Sequence, residues 1–175
     1  KALYAGVKVP RRPNALAAPT GKPALLRPVA GLEPLGPKTG SSDDVILNRL
    51  RMLAAVDEGV GQLLQQLEAS GQLERTVVVF TSDHGYFYGE HGLSVERRLA
   101  YEEGIRIPLF VRYPALIKPG TRRNQMVLTL DFAPTLLELA GAPAPAGRHG
   151  KSFAPLFGAS GPALRPAFMI EHYSE

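Results

Sequence analysis

An acid, an imidazole and a glycine stand in a row at Asp83-His84-Gly85, directly behind Thr76-Val77-Val78-Val79-Phe80-Thr81-Ser82. Carboxylates and imidazoles ligate divalent metals and move protons. The preceding run of β-branched and apolar residues predicts a strand covered on both faces, the parallel-sheet type. Ligands of open α/β sheets bind at the carboxyl ends of such strands. Neighbours in a regular strand point to opposite faces, so Asp83 and His84 reach one ion only if the chain is already turning. Gly85 permits that turn through its backbone freedom. The competing reading is that Asp83 caps a turn and His84 is solvated, and the local pattern leaves both open.

The rest of the composition narrows the chemistry by exclusion. The 175 residues contain no cysteine, which removes disulfides, thiolate metal sites and a cysteine nucleophile from this chain. A net charge of +4 is spread thinly, and Arg11-Arg12, Arg97-Arg98 and Arg122-Arg123 are its densest clusters. No basic stripe or binding motif points to nucleic acid. No apolar run approaches a membrane span, and Lys1-Ala2-Leu3-Tyr4 lacks the features of a secretory leader.

The elements that must position these residues follow an α/β order. Residues 1–43 form a Pro/Gly-rich extended segment, in which the prolines from Pro10 to Pro37 deny helix or central strand. Ser41-Ser42-Asp43-Asp44 supplies N-cap chemistry. Ile46, Leu50, Leu53, Val56, Val60, Leu64 and Leu67 then mark one apolar face of a helix over 44–69, stopped near Gly71. Asp57, beside that stripe, is read as a partnered structural carboxylate. Strands are expected at 76–81, 107–112 and 167–172, with a short extended piece at 127–130. Asp131 is expected to cap a helix carrying Pro134 in its first turn and ended by Gly141. Glu90, Glu102 and Glu103 are expected to pair with Arg97, Arg98 or Arg106, and His149 to lie on the surface.

Six blocks carry a more specific signal. Thr81-Ser82-Asp83-His84-Gly85, Gly89-Glu90-His91-Gly92, Tyr101-Glu102-Glu103, Arg106-Ile107-Pro108-Leu109 and Asp131-Phe132-Ala133-Pro134-Thr135-Leu136-Leu137 resemble the sulfatase family, in its order and roughly at its spacing. Ala55-Val56-Asp57-Glu58-Gly59-Val60-Gly61-Gln62-Leu63-Leu64 is similar to the helix before its central strand. The resemblance runs from about residue 44 to 172 and implies an alkaline phosphatase-like fold, a doubly wound, mostly parallel α/β sheet with flanking helices. Residues 44–175 would then be the late part of the catalytic domain.

The implied activity is metal-dependent hydrolysis of sulfuric esters. The family's nucleophile is a formylglycine made from Cys or Ser in Cys/Ser-x-Pro-x-Arg, a motif of its amino-terminal part. No such motif occurs here, so no catalytic nucleophile is assigned and the isolated chain is expected to be inactive. By resemblance, Asp83 and His84 match two metal ligands. Many members carry Asn where His84 stands; an amide oxygen suits calcium, whereas imidazole suits transition metals. Calcium is the first choice, with manganese or magnesium as alternatives. A family Lys that touches the sulfate falls on Arg97, with Arg98 beside it in a loop one residue longer. A guanidinium fork also suits a tetrahedral oxyanion. His91 and His172 are candidates for groups behind the ligands, against loop packing and a surface position respectively. The implied partner is a sulfate ester small molecule or sulfated glycan; homo-oligomerisation is left open. The alternatives are a phosphoester or phosphonate monoester hydrolase of the same superfamily, and a non-catalytic metal-binding or structural module.

Overall fold

The computed structural model describes residues 3–17, 20–21, 27–28, 30–31, 33, 36, 38–93, 99–158 and 161–171. The described chain is α/β, built from helices α1 (Asp43–Ala69), α2 (Glu102–Ile105) and α3 (Phe132–Leu139), with strands β1 (Val78–Thr81) and β2 (Leu109–Arg112). The chain divides into two compact units, residues 1–73 with 80–109, and residues 74–79 with 110–175. β1 and β2 are hydrogen-bonded neighbours in a two-stranded sheet, and these strands represent the sheet that the sequence implies.

In the first unit, the ends of α1 obey local chemistry. Ser42 Oγ accepts from Val45 N at 3.4 Å, and Asp43 and Asp44 occupy the first turn, where the helix dipole favours negative charge. At the other end Gly71 takes φ +67°, Gln72 N donates to Leu67 O at 2.8 Å and Gly71 N to Glu68 O at 2.9 Å. That is a Schellman ending, and only a residue tolerant of positive φ makes it without strain. The apolar stripe behaves differently from its expectation. Only Ile46 and Leu47 are buried, in a small core with Val9 against which Tyr4 and Tyr88 pack. Leu50, Leu53 and Val56 remain exposed, Val60, Leu64 and Leu67 are half-buried, and Asp57, expected to be a partnered structural carboxylate, is exposed.

The strands are shorter than expected, starting at Val78 and Leu109 rather than at residues 76 and 107. β1 is also not covered on both faces, because Val79 and Phe80 stay about two-fifths exposed, at 37% and 40%. Residues 167–171 form no strand, which corrects the expected strand 167–172. A strand needs neighbouring backbone groups to complete its ladder, and propensity at 167–171 does not supply them.

The second unit centres on Asp131. This residue does not cap α3 with its side chain, contrary to expectation. It is fully buried; Oδ2 accepts from Leu128 N at 2.8 Å and Arg165 Nη1 at 2.5 Å, while Oδ1 accepts from Lys151 N at 2.8 Å and Arg165 Nη2 at 2.6 Å. Its backbone oxygen accepts from Thr135 Oγ1 at 2.6 Å, and Thr135 Oγ1 in turn accepts from Phe153 N at 2.9 Å. Pro134 sits in the first turn of α3, where its missing N–H costs nothing, and Gly141 ends the helix at φ +65°. Phe153 packs edge-on against both Phe132 and Phe157.

Candidate functional site

Two residues past β1, in the first unit, the chain bends so that Asp83 and His84 face one another. Asp83 Oδ1 accepts from His84 N at 2.9 Å, and Asp83 Oδ2 lies 3.4 Å from His84 Nε2. The His84 backbone N–H, and then the nearby imidazole, hold the Asp83 carboxyl below its ordinary value despite a smaller opposing effect of burial. His84 Nδ1 lies 2.7 Å from the carbonyl oxygen of Gly85. A carbonyl only accepts, so this contact places a proton on Nδ1, and in the neutral form of the ring that leaves Nε2 as the bare nitrogen. That arrangement prepares an imidazole for a metal ion. Ser82 Oγ donates to His84 O at 2.9 Å and steadies the bend.

Gly85 is required for a reason other than turn geometry. A Cβ there would stand 1.9 Å from Glu103 O, and Gly85 N donates to Gly104 O at 2.8 Å. The loop and the backbone of α2 are in direct contact, and only glycine fits between them.

The loop beyond Gly85 is strapped to the proline-rich segment. Leu16 N donates to Gly89 O at 2.7 Å, His91 N donates to Asn14 O at 3.1 Å, and Ala15 and Glu90 form an isolated antiparallel bridge. Arg11 donates to Tyr88 O and Ser41 O, each at 2.7 Å, and pairs with Asp43 at 2.5 Å. The prolines exclude regular structure from the strap without preventing pairing at its proline-free stretch, Asn14-Ala15-Leu16.

His91 faces inward from this loop. Its ring stacks on Tyr101 with centroids 4.3 Å apart, and Phe87, fully buried, lies edge-on to both rings. His91 Nε2 is 3.3 Å from Glu103 Oε2; Asn14 Nδ2 is 3.4 Å and Arg12 Nη1 3.5 Å from Glu103 Oε1. Burial pushes the Glu103 carboxyl up, but its own backbone N–H, Asn14 and His91 together bring it below the ordinary value. Glu103 is therefore paired with Arg12 and His91 rather than with Arg106. Glu102 takes Arg106, at 3.4 Å, and Glu90 accepts from Tyr88 N at 2.7 Å.

The expected site residues divide into two groups. Asp83 and His84 are brought together. His91 packs into the loop beside Glu103, and His149 is exposed. Arg97, Arg98 and His172 lie outside the described residues. The contacts of Asn14, Arg12 and Arg165 were not foreseen from the sequence because no short-range pattern links these residues to their partners.

The donor set can be tested against a divalent cation. Among the described residues no group of three or more His, Asp or Glu converges. The carboxylate suits a hard cation such as calcium, which takes about 6–8 oxygen ligands, whereas the imidazole nitrogen suits a transition-metal ion better. Two donors would supply only part of any such ligand shell.

Comparison with known proteins gives this geometry its context. The sulfatase family model matches residues 12–142. N-acetylglucosamine-6-O-sulfatase of Bacteroides thetaiotaomicron is 45% identical over 107 residues, covering 61% of this chain and 19% of that protein. N-acetylglucosamine-6-sulfatase of Bos taurus is 34% identical over 98% of this chain and 31% of its own length. A structure solved in complex with its substrate D-glucosamine-2-N,6-O-disulfate superposes with a TM-score of 0.59 at 44% identity, covering 62% of this chain and 22% of that one. The phosphonate monoester hydrolase of Silicibacter pomeroyi superposes with a TM-score of 0.62 at 27% identity, covering 83% and 26%. The chain thus spans less than a third of the length of these relatives. With the family model covering most of its residues, and with Asp83 and His84 facing each other behind β1, the chain belongs to the sulfatase family.

Proposed function

We propose that this chain is part of a sulfuric ester hydrolase, to which it contributes two metal ligands and one wall of the sulfate pocket. The observation carrying the proposal is the convergence of the Asp83 carboxylate and the bare His84 Nε2 at the end of β1, in a chain of the sulfatase family. Calcium is the preferred ion, with manganese or magnesium as alternatives; it would supply charge that polarises the ester's sulfate oxygens. Asp83 and His84 would hold the ion, and the Gly85 carbonyl would keep the imidazole in the right tautomer. Arg97 would bind the sulfate oxygens through its planar fork, with Arg98 as its alternative.

The similarity to N-acetylglucosamine-6-sulfatases supports a 6-sulfated glucosamine unit of a glycan as the substrate. A second reading, phosphonate monoester hydrolysis, is favoured by the longer superposition on the phosphonate hydrolase. Initial rates of the full-length protein on N-acetylglucosamine-6-sulfate and on a phenylphosphonate monoester distinguish the two. Preference for the sulfate ester is expected, and preference for the phosphonate would reverse the assignment. The 175-residue chain alone should turn over neither, because it holds no Cys and no Ser-x-Pro-x-Arg from which a formylglycine could form.

A further inference from the structure

We propose that Glu103, fixed by His91 and Asn14, is a positioning residue for the His84 imidazole and acts on it through the backbone of α2 and Gly85. α2 is a single four-residue turn, too short to hold its shape by its own hydrogen bonds. Its exposed Glu102–Arg106 pair adds little. Its inward anchor is the Glu103 side chain, only 9% exposed, which accepts from His91 Nε2–H and Asn14 Nδ2–H. The Tyr101–His91 stack fixes the same turn from its N-terminal side, against the fully buried Phe87.

From α2 the constraint passes to Gly85 by contact. Gly104 O accepts from Gly85 N at 2.8 Å, and Glu103 O occupies the space where a Cβ on Gly85 would lie. Gly85 is held by α2 through its N–H and holds the His84 ring through its carbonyl, which accepts from Nδ1–H at 2.7 Å. A displaced α2 therefore releases Gly85, and a released Gly85 no longer selects the tautomer that leaves Nε2 bare. Partners that orient a metal-ligating imidazole are typically worth 10–100-fold in metal affinity.

The metal consequence rests on the assignment of Asp83 and His84 as ligands, whereas the orientation of the ring does not, and two measurements keep them apart. The first is the side-chain ¹⁵N spectrum of His84 in the 175-residue chain at about pH 8, above the ordinary imidazole pKa of about 6.5. The parent should show the Nδ1–H tautomer. Glu103→Ala should show a mixture of tautomers, whereas Glu103→Gln, which keeps the length and one of the two acceptor oxygens, should stay closer to the parent than Glu103→Ala does. The second is Mn²⁺ titration of the full-length protein, where Glu103→Ala should bind about 10–100-fold more weakly. His91→Asn, which tolerates the φ of +57° but is too short to reach Glu103, should move both readouts in the same direction as Glu103→Ala, and it carries the test if Glu103→Ala does not fold. A parental tautomer in both variants would overturn the proposal. A tautomer shift in a protein that binds no Mn²⁺ would uphold the positioning role and remove the metal assignment.

Discussion

Asp131 is a fully buried carboxylate whose oxygens are both taken, by two guanidinium nitrogens of Arg165 and two backbone N–H groups. Burial pushes its carboxyl up, but Arg165 and the N–H groups of Leu128 and Lys151 outweigh that and hold it below the ordinary 3.8. With the folded value depressed, the stabilisation is present above the unfolded pKa and is lost as pH falls through the lower folded one. Acid titration of stability should therefore show a loss below about pH 4 in the parent and a flatter profile in Asp131→Asn. At neutral pH that variant should cost about 3–5 kcal/mol in urea unfolding, because it strands a guanidinium that is only 8% exposed. A cost under about 1 kcal/mol would mean that water reaches Arg165.

At the scale of elements, α1 separates local stability from packing. Its caps are satisfied at both ends, so the helix needs little from its apolar stripe to begin and to stop. Only the Ile46–Leu47 turn is packed, against Val9. Ile46→Ala should destabilise the chain by about 2–5 kcal/mol, the range for deleting a buried aliphatic side chain. Leu53→Gln, at an exposed position of the same stripe, should stay within about 0.5 kcal/mol. Chemical denaturation followed by circular dichroism checks both. Equal and large losses would show that the stripe is covered in solution.

For the molecule as a whole, the chain is similar to less than a third of each relative's length, so the sulfate role proposed for Arg97 is tested in the full-length protein. There Arg97→Ala should lower kcat/KM by about 10²–10³, the usual worth of a buried oxyanion contact. Arg97→Lys should recover much of the loss, since lysine retains the point charge without the fork. If Arg97 takes the sulfate, Arg98→Ala should cost at most a few-fold. The reverse ranking, measured on the same sulfate ester, would assign the inward position to Arg98 through the extra loop residue.

Local rules determined a definite part of this protein. Ser42, Gly71, Pro134 and Gly141 act where their types predict, since caps and helix stops depend on neighbours within about one turn. The bend that brings Asp83 and His84 together is likewise built from adjacent residues. Tertiary structure decided the rest. Asp131 reads as a cap until Arg165, 34 positions away, makes it an ion-pair hub. Gly85 reads as a turn glycine until the α2 backbone occupies its Cβ position. His91 and Glu103 meet Asn14 across 77 and 89 residues. Partners so far apart leave no periodic trace in a sequence, because what joins them is the path of the folded chain.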